Sequence, residues 1–159
     1  MRICKVWDSE YPWDVRAEKV ALALTAAGHE VHMVARNRSS RPLREELPEC
    51  TVHRLAPLAV AGGSTLGRKI NDASMFPAFF NPRWLRRITQ VAAETKSEVI
   101  LCRDIPLLPT AVRAGRTLGI PVVLDMAENY PAMIQGIWDS GRQKRGDWLV
   151  RNPRLVSLI

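Results

Sequence analysis

Two short blocks of the sequence carry acidic and other polar residues directly after apolar runs. The polar members of these blocks are Arg103, Asp104, Asp125, Glu128, Asn129 and Tyr130. Carboxylates can position a hydroxyl group by hydrogen bonds, and a guanidinium can hold a phosphate or a carboxylate. In an open α/β sheet, ligands bind outside the carboxyl ends of the strands. The two blocks therefore predict one shared binding crevice rather than scattered surface charge.

Each of these residues also has a purely structural interpretation. Asp104 stands two residues before Pro106 and would cap a helix that begins at that proline. Asp125 and Glu128 would need partners if they were partly buried, and Arg103 or Arg16 would supply them in a structural ion-pair network. The sequence alone leaves the binding interpretation and the structural interpretation open.

The connection over residues 8–14 is a third place where ligand chemistry is expected. In dinucleotide-binding folds, glycines in this loop let backbone N–H groups approach a pyrophosphate. This loop contains no glycine, and the chain has neither GxGxxG nor GxxxxGK[ST]. The pattern disfavours a nicotinamide-dependent dehydrogenase and a nucleoside triphosphatase. Asp14 and Arg16 are the candidates here, with N-capping as the structural alternative for Asp14.

The elements that must position these residues alternate between strand and helix. The apolar periodicity predicts strands over residues 2–7, 30–35, 51–55, 98–102 and 120–124. It predicts helices over residues 15–27, 83–96 and 106–118. Strand, helix and strand in that order form a βαβ unit, which indicates a parallel sheet. The predicted fold class is α/β, a Rossmann-like three-layer sandwich with a mostly parallel sheet.

The remaining segments are less regular. Residues 36–49 are polar and basic and predict a loop or a frayed helix. Residues 56–81 contain several prolines and glycines, and a stretch of this length without clear structure is usually functional or mobile. A helix with a basic break at residues 141–145 is predicted after Tyr130.

Length and composition are those of one soluble globular domain. The chain has 159 residues, of which 47% are apolar and 25% charged, with a net charge of +7. No segment approaches the about 18 apolar residues of a membrane span, and a signal peptide is not expected at the N-terminus. Cys4, Cys50 and Cys102 fall in predicted strands without a CxxC pair. This predicts buried, reduced thiols in a cytoplasmic protein.

The histidines do not predict a metal site. His29 and His32 are three residues apart, but zinc needs three or four convergent ligands. His53 is interpreted as a lone structural histidine in a strand.

Two groups of arginines carry much of the positive charge. The first is Arg36, Arg38, Arg41 and Arg44, and the second is Arg83, Arg86 and Arg87, close to the aromatic residues Phe76, Phe79, Phe80 and Trp84. A basic helix beside exposed aromatic residues is typical of a protein that settles on an anionic membrane. The pattern favours the alternative, a helix packed on the sheet with a solvated basic face. No nucleic-acid-binding motif accompanies either group.

Several segments, taken together, resemble the family 4 glycosyltransferases of the GT-B fold. The N-terminal ones are Met1-Arg2-Ile3, residues 11–16 (YPWDVR) and residues 26–34 (AAGHEVHMV), and the two polar blocks at 103–104 and 125–131 resemble later signatures. The resemblance covers most of the chain apart from residues 57–81. No single motif is specific to the family; the order and spacing carry the resemblance.

The resemblance implies an enzyme with two facing Rossmann-like domains, of which the first mainly binds the acceptor and the second binds a nucleotide-sugar. Members retain the anomeric configuration of the sugar and usually need no metal. No cofactor is implied beyond the nucleotide-sugar as a co-substrate. Carried over residue by residue, the resemblance implies that the cleft is lined by Asp14, Arg16, Arg103, Asp104, Asp125, Glu128, Asn129 and Tyr130.

This chain departs from the family pattern in three respects. The first loop lacks the glycines that many members have. Ala127 stands where many members have a histidine that contacts the transferred sugar. The donor-binding domain with its pair of glutamates is absent, and the chain ends in an apolar run over residues 155–159. We therefore expect residues 1–159 to be an N-terminal domain that is truncated at its C-terminal end and inactive alone.

The resemblance thus implies the acceptor-binding half of a retaining, hexosyltransferase-like enzyme of the kind that builds polysaccharides. The expected acceptor is a glycan, a lipid-linked sugar or a small molecule. The expected location is the cytoplasm, with peripheral association at the inner face of the membrane. Two alternatives stay open. One is a stand-alone flavodoxin-like or response-regulator-like binding or signalling domain with Asp8 and Glu10 as its acidic residues, and the other is a nucleic-acid-binding domain.

Overall fold

The computed structural model has an α/β fold, and it describes residues 1–58, 65–75 and 78–126 together with residues 132, 133, 136, 139 and 140. The strands of the described part are β1 (Arg2–Glu10), β2 (Glu30–Arg36), β3 (Arg44–Leu47), β4 (Cys50–Arg54), β5 (Val99–Arg103) and β6 (Val122–Asp125). The helices are α1 (Val15–Ala26), α2 (Thr65–Ser74), α3 (Pro82–Glu94) and α4 (Leu108–Leu118), and short 3-10 turns lie at Ala78–Phe80 and Ile105–Leu107.

The six strands form one sheet in the order β3-β4-β2-β1-β5-β6. Strands β4, β2, β1, β5 and β6 run parallel, and β3 pairs antiparallel with β4 at the edge. The chain builds outward from β1 to β2 and β4, then returns across the sheet to β5 on the other side of β1. In open α/β sheets, ligands bind at the carboxyl ends of the strands where the order reverses. This rule selects the carboxyl ends of β1 and β5.

Helices pack on both faces of the sheet, and the alternation of side chains along the strands explains why. On one face, Ala17 and Ala21 of α1 pack against the odd-numbered residues Val31 and Met33 of β2. On the other face, Val34 of β2 joins a core with α3 and α4. The buried members of those two helices are Trp84, Ile88, Val91, Ala92, Ala111 and Ala114. The predicted three-layer α/β architecture is confirmed.

Helix boundaries follow the local chemistry of the sequence. Asp14 caps α1, its Oδ1 accepting the backbone N–H of Ala17 at 2.8 Å. Asn81 caps α3 in the same way, accepting the N–H groups of Arg83 and Trp84. Gly119 ends α4 in the left-handed conformation with φ +69°, which a glycine adopts without steric cost.

Three elements differ from the sequence prediction. β3 lies in the segment that was predicted as a loop or a frayed helix. The sequence did not indicate a strand there, because three of the four residues of β3 are charged and the apolar alternation of a strand is missing. Charged residues are common on exposed edge strands, where they oppose pairing with other chains. α2 lies in the stretch predicted as least regular. β1 extends to Glu10, past the predicted end at Trp7, with a register irregularity between Val6 and Glu10.

The three cysteines are buried free thiols in strands, as predicted. Burial raises the pKa of each of Cys4, Cys50 and Cys102 to about 12. The thiolate that reacts with electrophiles and metals is therefore not formed at neutral pH.

By its contacts the chain divides into two compact units, Met1–Asp125 and Met126–Ile159. In the second unit the described residues 132, 133, 136 and 139 are helical, and the Ser140 N–H donates to the Gly136 carbonyl at 3.1 Å. The rest of the helix predicted after Tyr130 lies outside the described residues. Within the described part, no helix has both the length and the apolar character needed to cross a bilayer.

Candidate functional site

A buried arginine lies at the carboxyl end of β5, beside the point where the strand order reverses. Arg103 is the last residue of β5, and its side chain is only 4% exposed. Cys102, one position earlier, points into the core shared with α3 and α4. Since side chains alternate along a strand, Arg103 points to the opposite face of the sheet. A buried guanidinium needs opposite charge, and three carboxylates provide it.

These carboxylates come from the connections after β1 and β5 and from the last residue of β6. Arg103 Nη2 lies 3.3 Å from Asp14 Oδ1, Nε lies 3.7 Å from Asp104 Oδ2, and Nη1 lies 3.9 Å from Asp125 Oδ2. The backbone N–H of Asp104 also donates to the Asp125 carbonyl at 3.1 Å, which ties the ends of β5 and β6 together. The predicted convergence of Asp14, Arg103, Asp104 and Asp125 is therefore what the structure has.

A second buried cation completes this group, which we call the Arg103 cluster: Lys5, Asp14, Arg103, Asp104 and Asp125. Lys5 is fully buried in β1, and its Nζ lies 3.4 Å from Asp125 Oδ2. Burial lowers the pKa of Lys5, and the charge of Asp125 opposes that shift. Lys5 was not among the predicted site residues, although a single lysine between the apolar residues Cys4 and Val6 was the available signal.

The outer surface of the Arg103 cluster is acidic. The side chains of Asp14, Asp104 and Asp125 are 32%, 26% and 29% exposed, whereas the two cations beneath them are almost completely buried. Three carboxylates face two cations, so the cluster has a formal charge of −1. The distances from Arg103 to the carboxylate oxygens exceed the 2.7–2.9 Å of a charge-assisted hydrogen bond. A surface of this kind accepts hydrogen bonds from hydroxyl groups rather than binding an anion.

The backbone at Asp104 is strained. Its φ of 65° and ψ of 156° lie in a region that is almost reserved for glycine. The sequence allowed Asp104 to be a helix cap, but its side chain makes no capping hydrogen bond to the 3-10 turn that follows. The structural interpretation of Asp104 as a cap is therefore wrong. Its carboxylate is directed to Arg103 instead.

Two tryptophans lie close to the Arg103 cluster: Trp7 contacts Arg103 in space, and Trp13 is next to Asp14 in the sequence. The Arg103 guanidinium carbon lies 4.7 Å from the ring centroid of Trp7, a cation–π geometry. Trp13 directly precedes Asp14 and is 84% exposed. An exposed indole next to hydrogen-bonding carboxylates provides an apolar platform for a ring-shaped ligand.

Arg16, another predicted site residue, is exposed in the first turn of α1. Asp125 pairs with Lys5 and Arg103. Glu128, Asn129 and Tyr130, together with Ala127, lie outside the described residues. Among the described residues, no group of three or more histidine, cysteine, aspartate or glutamate side chains is placed to hold a metal ion.

The first group of arginines is paired with carboxylates. Arg36 pairs with Asp8, Arg38 with Asp72, Arg41 with Glu45 and Arg44 with Glu46. The Arg36 Nη2 to Asp8 Oδ1 distance is 2.5 Å, and burial raises the pKa of Asp8. Asp8, proposed above as the acidic residue of a signalling domain, is thus the partner of an arginine.

The basic helix α3 packs on the sheet, as the favoured prediction had it. Trp84 is fully buried in the core, while Phe80 is 70% exposed. Arg83 and Arg87 are partly buried rather than solvated, and burial lowers the pKa of both.

His53 is paired rather than alone. Its Nε2 lies 3.3 Å from His32 Nδ1, and His32 Nε2 lies 3.0 Å from Glu30 Oε1. Both histidines are 6% exposed. Burial, followed by the positive charges of nearby His32, Arg87 and Arg44, lowers the pKa of His53 to about 4.

Solved structures support the fold. The chain is similar to a sucrose-phosphate synthase from Thermosynechococcus elongatus (18% identity, 77% of this chain and 32% of that chain, TM-score 0.53). It is also similar to the C-terminal domain of the PF1911 hydrogenase from Pyrococcus furiosus (14% identity, 79% of this chain and 90% of that chain, TM-score 0.49). A further similar structure is a UDP-GlcNAc 2-epimerase from Methanocaldococcus jannaschii (13% identity, 78% of this chain and 31% of that chain, TM-score 0.41). The first of these similarities shows a shared fold, and this chain spans about a third of that protein's length.

Family membership comes from the sequence as a whole. Among curated proteins, none matches the chain significantly. The profile of the glycosyl transferase 4-like domain, in contrast, matches residues 14–156, which is most of the chain and includes every member of the Arg103 cluster except Lys5. The chain belongs to the glycosyl transferase 4-like domain family.

Proposed function

We propose that this chain is the acceptor-binding half of a retaining glycosyltransferase that moves a sugar from a nucleotide-sugar to a hydroxyl-bearing acceptor. The observation that carries the proposal is the Arg103 cluster, in which three partly exposed carboxylates converge over two buried cations at the carboxyl edge of the sheet. Retention of anomeric configuration, the nucleotide-sugar donor and a hexose as the transferred sugar come from the family resemblance.

The cluster is suited to a neutral polyol. Its exposed oxygen atoms belong to Asp14, Asp104 and Asp125, and these carboxylates accept hydrogen bonds from sugar hydroxyl groups. The exposed indole of Trp13 offers an apolar face against which a sugar ring can pack. The buried cations pair with the carboxylates from below. This pairing lowers the entropy cost of ordering the carboxylate side chains when the acceptor binds.

In this proposal the cluster contributes positioning. A hydroxyl held by two carboxylates is oriented toward the second domain, where the resemblance places the nucleotide-sugar. Holding the acceptor and the donor in a reactive geometry lowers the entropic part of the activation barrier. No residue of the described part is assigned to bond breaking.

The test uses the complete protein encoded at the locus of this chain, with release of nucleotide from UDP- and GDP-sugars as the readout. Asp104→Asn and Asp125→Asn are expected to raise the KM for the acceptor by about ten-fold or more, because a hydrogen bond to a charged group is worth about 1.5–3 kcal/mol. The KM for the donor stays unchanged.

Asp72→Asn is the matched control, since Asp72 is half exposed and pairs with Arg38 on the surface. A higher KM for the donor with an unaltered KM for the acceptor would contradict the assignment of the acceptor to this domain. The anomeric configuration of the product, read by proton NMR, tests retention separately.

We also propose a cytoplasmic enzyme that associates with the inner face of the membrane. Exposed Phe80 and Arg86 support this location. Sedimentation with liposomes that contain or lack anionic lipid tests it. Equal sedimentation with both at low salt would refute the electrostatic part of the proposal.

A further inference from the structure

A pocket opens at the carboxyl edge of the sheet, apart from the Arg103 cluster. It has a volume of about 270 Å³ and lies between the end of β4 and the first turns of α3. Strands β4 and β5 are three positions apart in the sheet, which places Arg54 and Arg103 about 14 Å from each other along this edge. The pocket is thus a separate site.

Four arginines line this pocket: Arg54, Arg83, Arg86 and Arg87. The other lining residues, Leu43, Leu55, Ala56 and Gln90, carry no charge. We call this site the arginine pocket. A concave surface lined by cations, with no carboxylate in the lining, has a positive potential that its low-dielectric walls strengthen.

The charge of the pocket is only partly compensated. Arg54 is fully buried, pairs with Glu45 and donates to the carbonyls of Pro42 and Tyr11. Within the described residues, however, Arg83, Arg86 and Arg87 form no ion pair with a carboxylate. The buried Nε atom of Arg87 has no hydrogen-bond partner there either. Buried polar atoms in proteins are nearly always hydrogen-bonded, so this donor at the pocket points to a ligand.

Part of the pocket is rigidly built. Arg83 Nη1 donates to Asn71 Oδ1 at 3.2 Å and to the Ser74 hydroxyl, and Nη2 donates to the Ala56 carbonyl at 2.5 Å. These bonds fix Arg83 between α2, α3 and the segment after β4. Arg87 Nη1 is held by Gln90 Oε1 at 3.3 Å. Arg86 is exposed and makes no hydrogen bond within the described part of the chain.

The position of these arginines on α3 is unfavourable for the helix itself. Arg83, Arg86 and Arg87 lie in its first two turns, where the helix dipole disfavours positive charge. The first turn contains no acidic residue that would offset them. Burial lowers the pKa of Arg83 and of Arg87, and the charge of Glu94 opposes that shift for Arg87. A bound anion would relieve each of these costs.

We propose that the arginine pocket binds the phosphate group of a phosphomonoester. Its volume of about 270 Å³ accommodates a phosphate group with its first few neighbouring atoms. Guanidinium groups match phosphate oxygens in geometry and in charge. The proposal does not rest on the acceptor-binding role of the Arg103 cluster.

The test is isothermal titration calorimetry of the 159-residue chain with glucose 6-phosphate, with glucose as the uncharged reference. We expect saturable binding of glucose 6-phosphate, competition by inorganic phosphate, and no binding of glucose. Because charge-assisted hydrogen bonds are lost, Arg86→Gln with Arg87→Gln weakens the affinity by about ten-fold or more. Arg113→Gln, an exposed arginine on α4 outside the pocket, leaves the affinity unchanged.

The single variant Arg86→Gln separates loss of binding from loss of folding, because Arg86 is exposed and makes no hydrogen bond within the described part of the chain. Weaker binding of glucose 6-phosphate without a shift in the denaturation midpoint supports the proposed phosphate site. Vesicles with and without phosphatidic acid distinguish the source of the phosphate. Binding only to phosphatidic acid vesicles, lost in Arg86→Gln, assigns a lipid phosphomonoester. Failure of all phosphates to bind, or equal binding by the wild type and the double variant, overturns the proposal. Since no sugar transfer is measured, this result is independent of the test of the Arg103 cluster.

Discussion

Lys5 and Asp125 lie on strands that do not touch, yet their side chains form an ion pair. β5 separates β1 from β6, and the Lys5 Nζ to Asp125 Oδ2 distance is 3.4 Å across it. Arg103, on the intervening strand, approaches the same oxygen to 3.9 Å. One carboxylate therefore compensates two buried cations on neighbouring strands.

Removing this carboxylate leaves both cations without part of their counter-charge. We expect Asp125→Asn to lower the free energy of unfolding by about 1–3 kcal/mol, less than for a fully buried pair because Asp125 is 29% exposed. In the double variant Lys5→Met with Asp125→Asn, the loss should be smaller than the sum of the single losses. Urea denaturation of the four proteins measures the coupling. Strict additivity would show that the pair contributes nothing. As a control, Asp72→Asn breaks an exposed pair and costs at most about 1 kcal/mol.

Asp14 has two roles that two substitutions can separate. It caps α1 through the Ala17 N–H and pairs with Arg103 at 3.3 Å. Asn keeps the capping oxygen and removes the charge, whereas Ala removes both. We expect Asp14→Ala to cost about 1 kcal/mol more than Asp14→Asn, measured as the difference in the free energy of unfolding. Equal losses for the two variants would mean that the cap contributes no stability.

The strained backbone at Asp104 predicts that glycine at this position relieves strain and raises stability relative to alanine, while loss of the carboxylate impairs acceptor binding in both variants. Asp104→Gly removes the strain of a side chain at φ 65°, and Asp104→Ala keeps it. The glycine variant should therefore be more stable than the alanine variant by about 1–3 kcal/mol, although both lack the carboxylate. Thermal or urea denaturation gives the stability, and acceptor KM in the complete protein gives the function, which both variants should impair alike. A glycine variant no more stable than the alanine variant would argue against strain.

Trp13 should matter for binding and hardly for folding. Its side chain is 84% exposed, so Trp13→Ala is expected to change the free energy of unfolding by no more than about 0.5 kcal/mol. If a sugar ring packs on the indole, the same variant raises the KM for the acceptor while Trp13→Phe largely preserves it. The exposed Phe80 offers a control, as Phe80→Ala removes an exposed aromatic side chain elsewhere. An unchanged KM in Trp13→Ala would remove the indole from the acceptor site.

The buried His53 predicts a defined loss of stability in acid. Its pKa is about 4 in the folded protein against an ordinary value of 6.5, so the unfolded chain takes up a proton first as the pH falls. The contribution of His53 to the free energy of unfolding is constant above pH 6.5, declines between pH 6.5 and about 4, and then levels off. The full decline is about 3 kcal/mol.

The measurement compares the wild type with His53→Gln across this pH range, because other groups titrate in both proteins. His32, Arg87, Arg44 and Glu94 are the charged or titratable neighbours, and all of them remain in the variant. The stability difference between the two proteins should narrow or reverse as the pH falls to 4. Parallel curves would show that His53 does not lose its proton preferentially on folding.

Much of this architecture follows from local patterns in the sequence. The apolar periods of α1, α3 and α4, with Asp14 as a possible cap of the first, predict three helices with small errors at their ends. The parallel sheet follows from the strand–helix–strand order. That order also brings Asp14, Arg103 and Asp125 to one edge, so their convergence was predictable without side-chain detail.

What the sequence did not reveal depends on tertiary context. Lys5 looks like the polar member of an alternating strand, and only the β1-β5-β6 order shows that it reaches Asp125. Trp84 was grouped with the aromatic residues beside the basic helix, and only its packing against the sheet shows that it belongs to the core. The charged strand β3 is specified by its partner β4 rather than by its own residues, so no local pattern indicates it.

The buried thiols have a practical consequence for spectroscopy. Cys4, Cys50 and Cys102 are shielded inside the sheet and remain protonated at neutral pH, because burial raises the pKa of each to about 12. Maleimide dyes and nitroxide spin labels react with accessible thiolates. A single new cysteine on the surface, for example in Lys19→Cys on α1, should therefore be labelled selectively without removal of the native ones. Distances from that label to a labelled acceptor or a labelled second domain then become measurable in the otherwise unaltered protein.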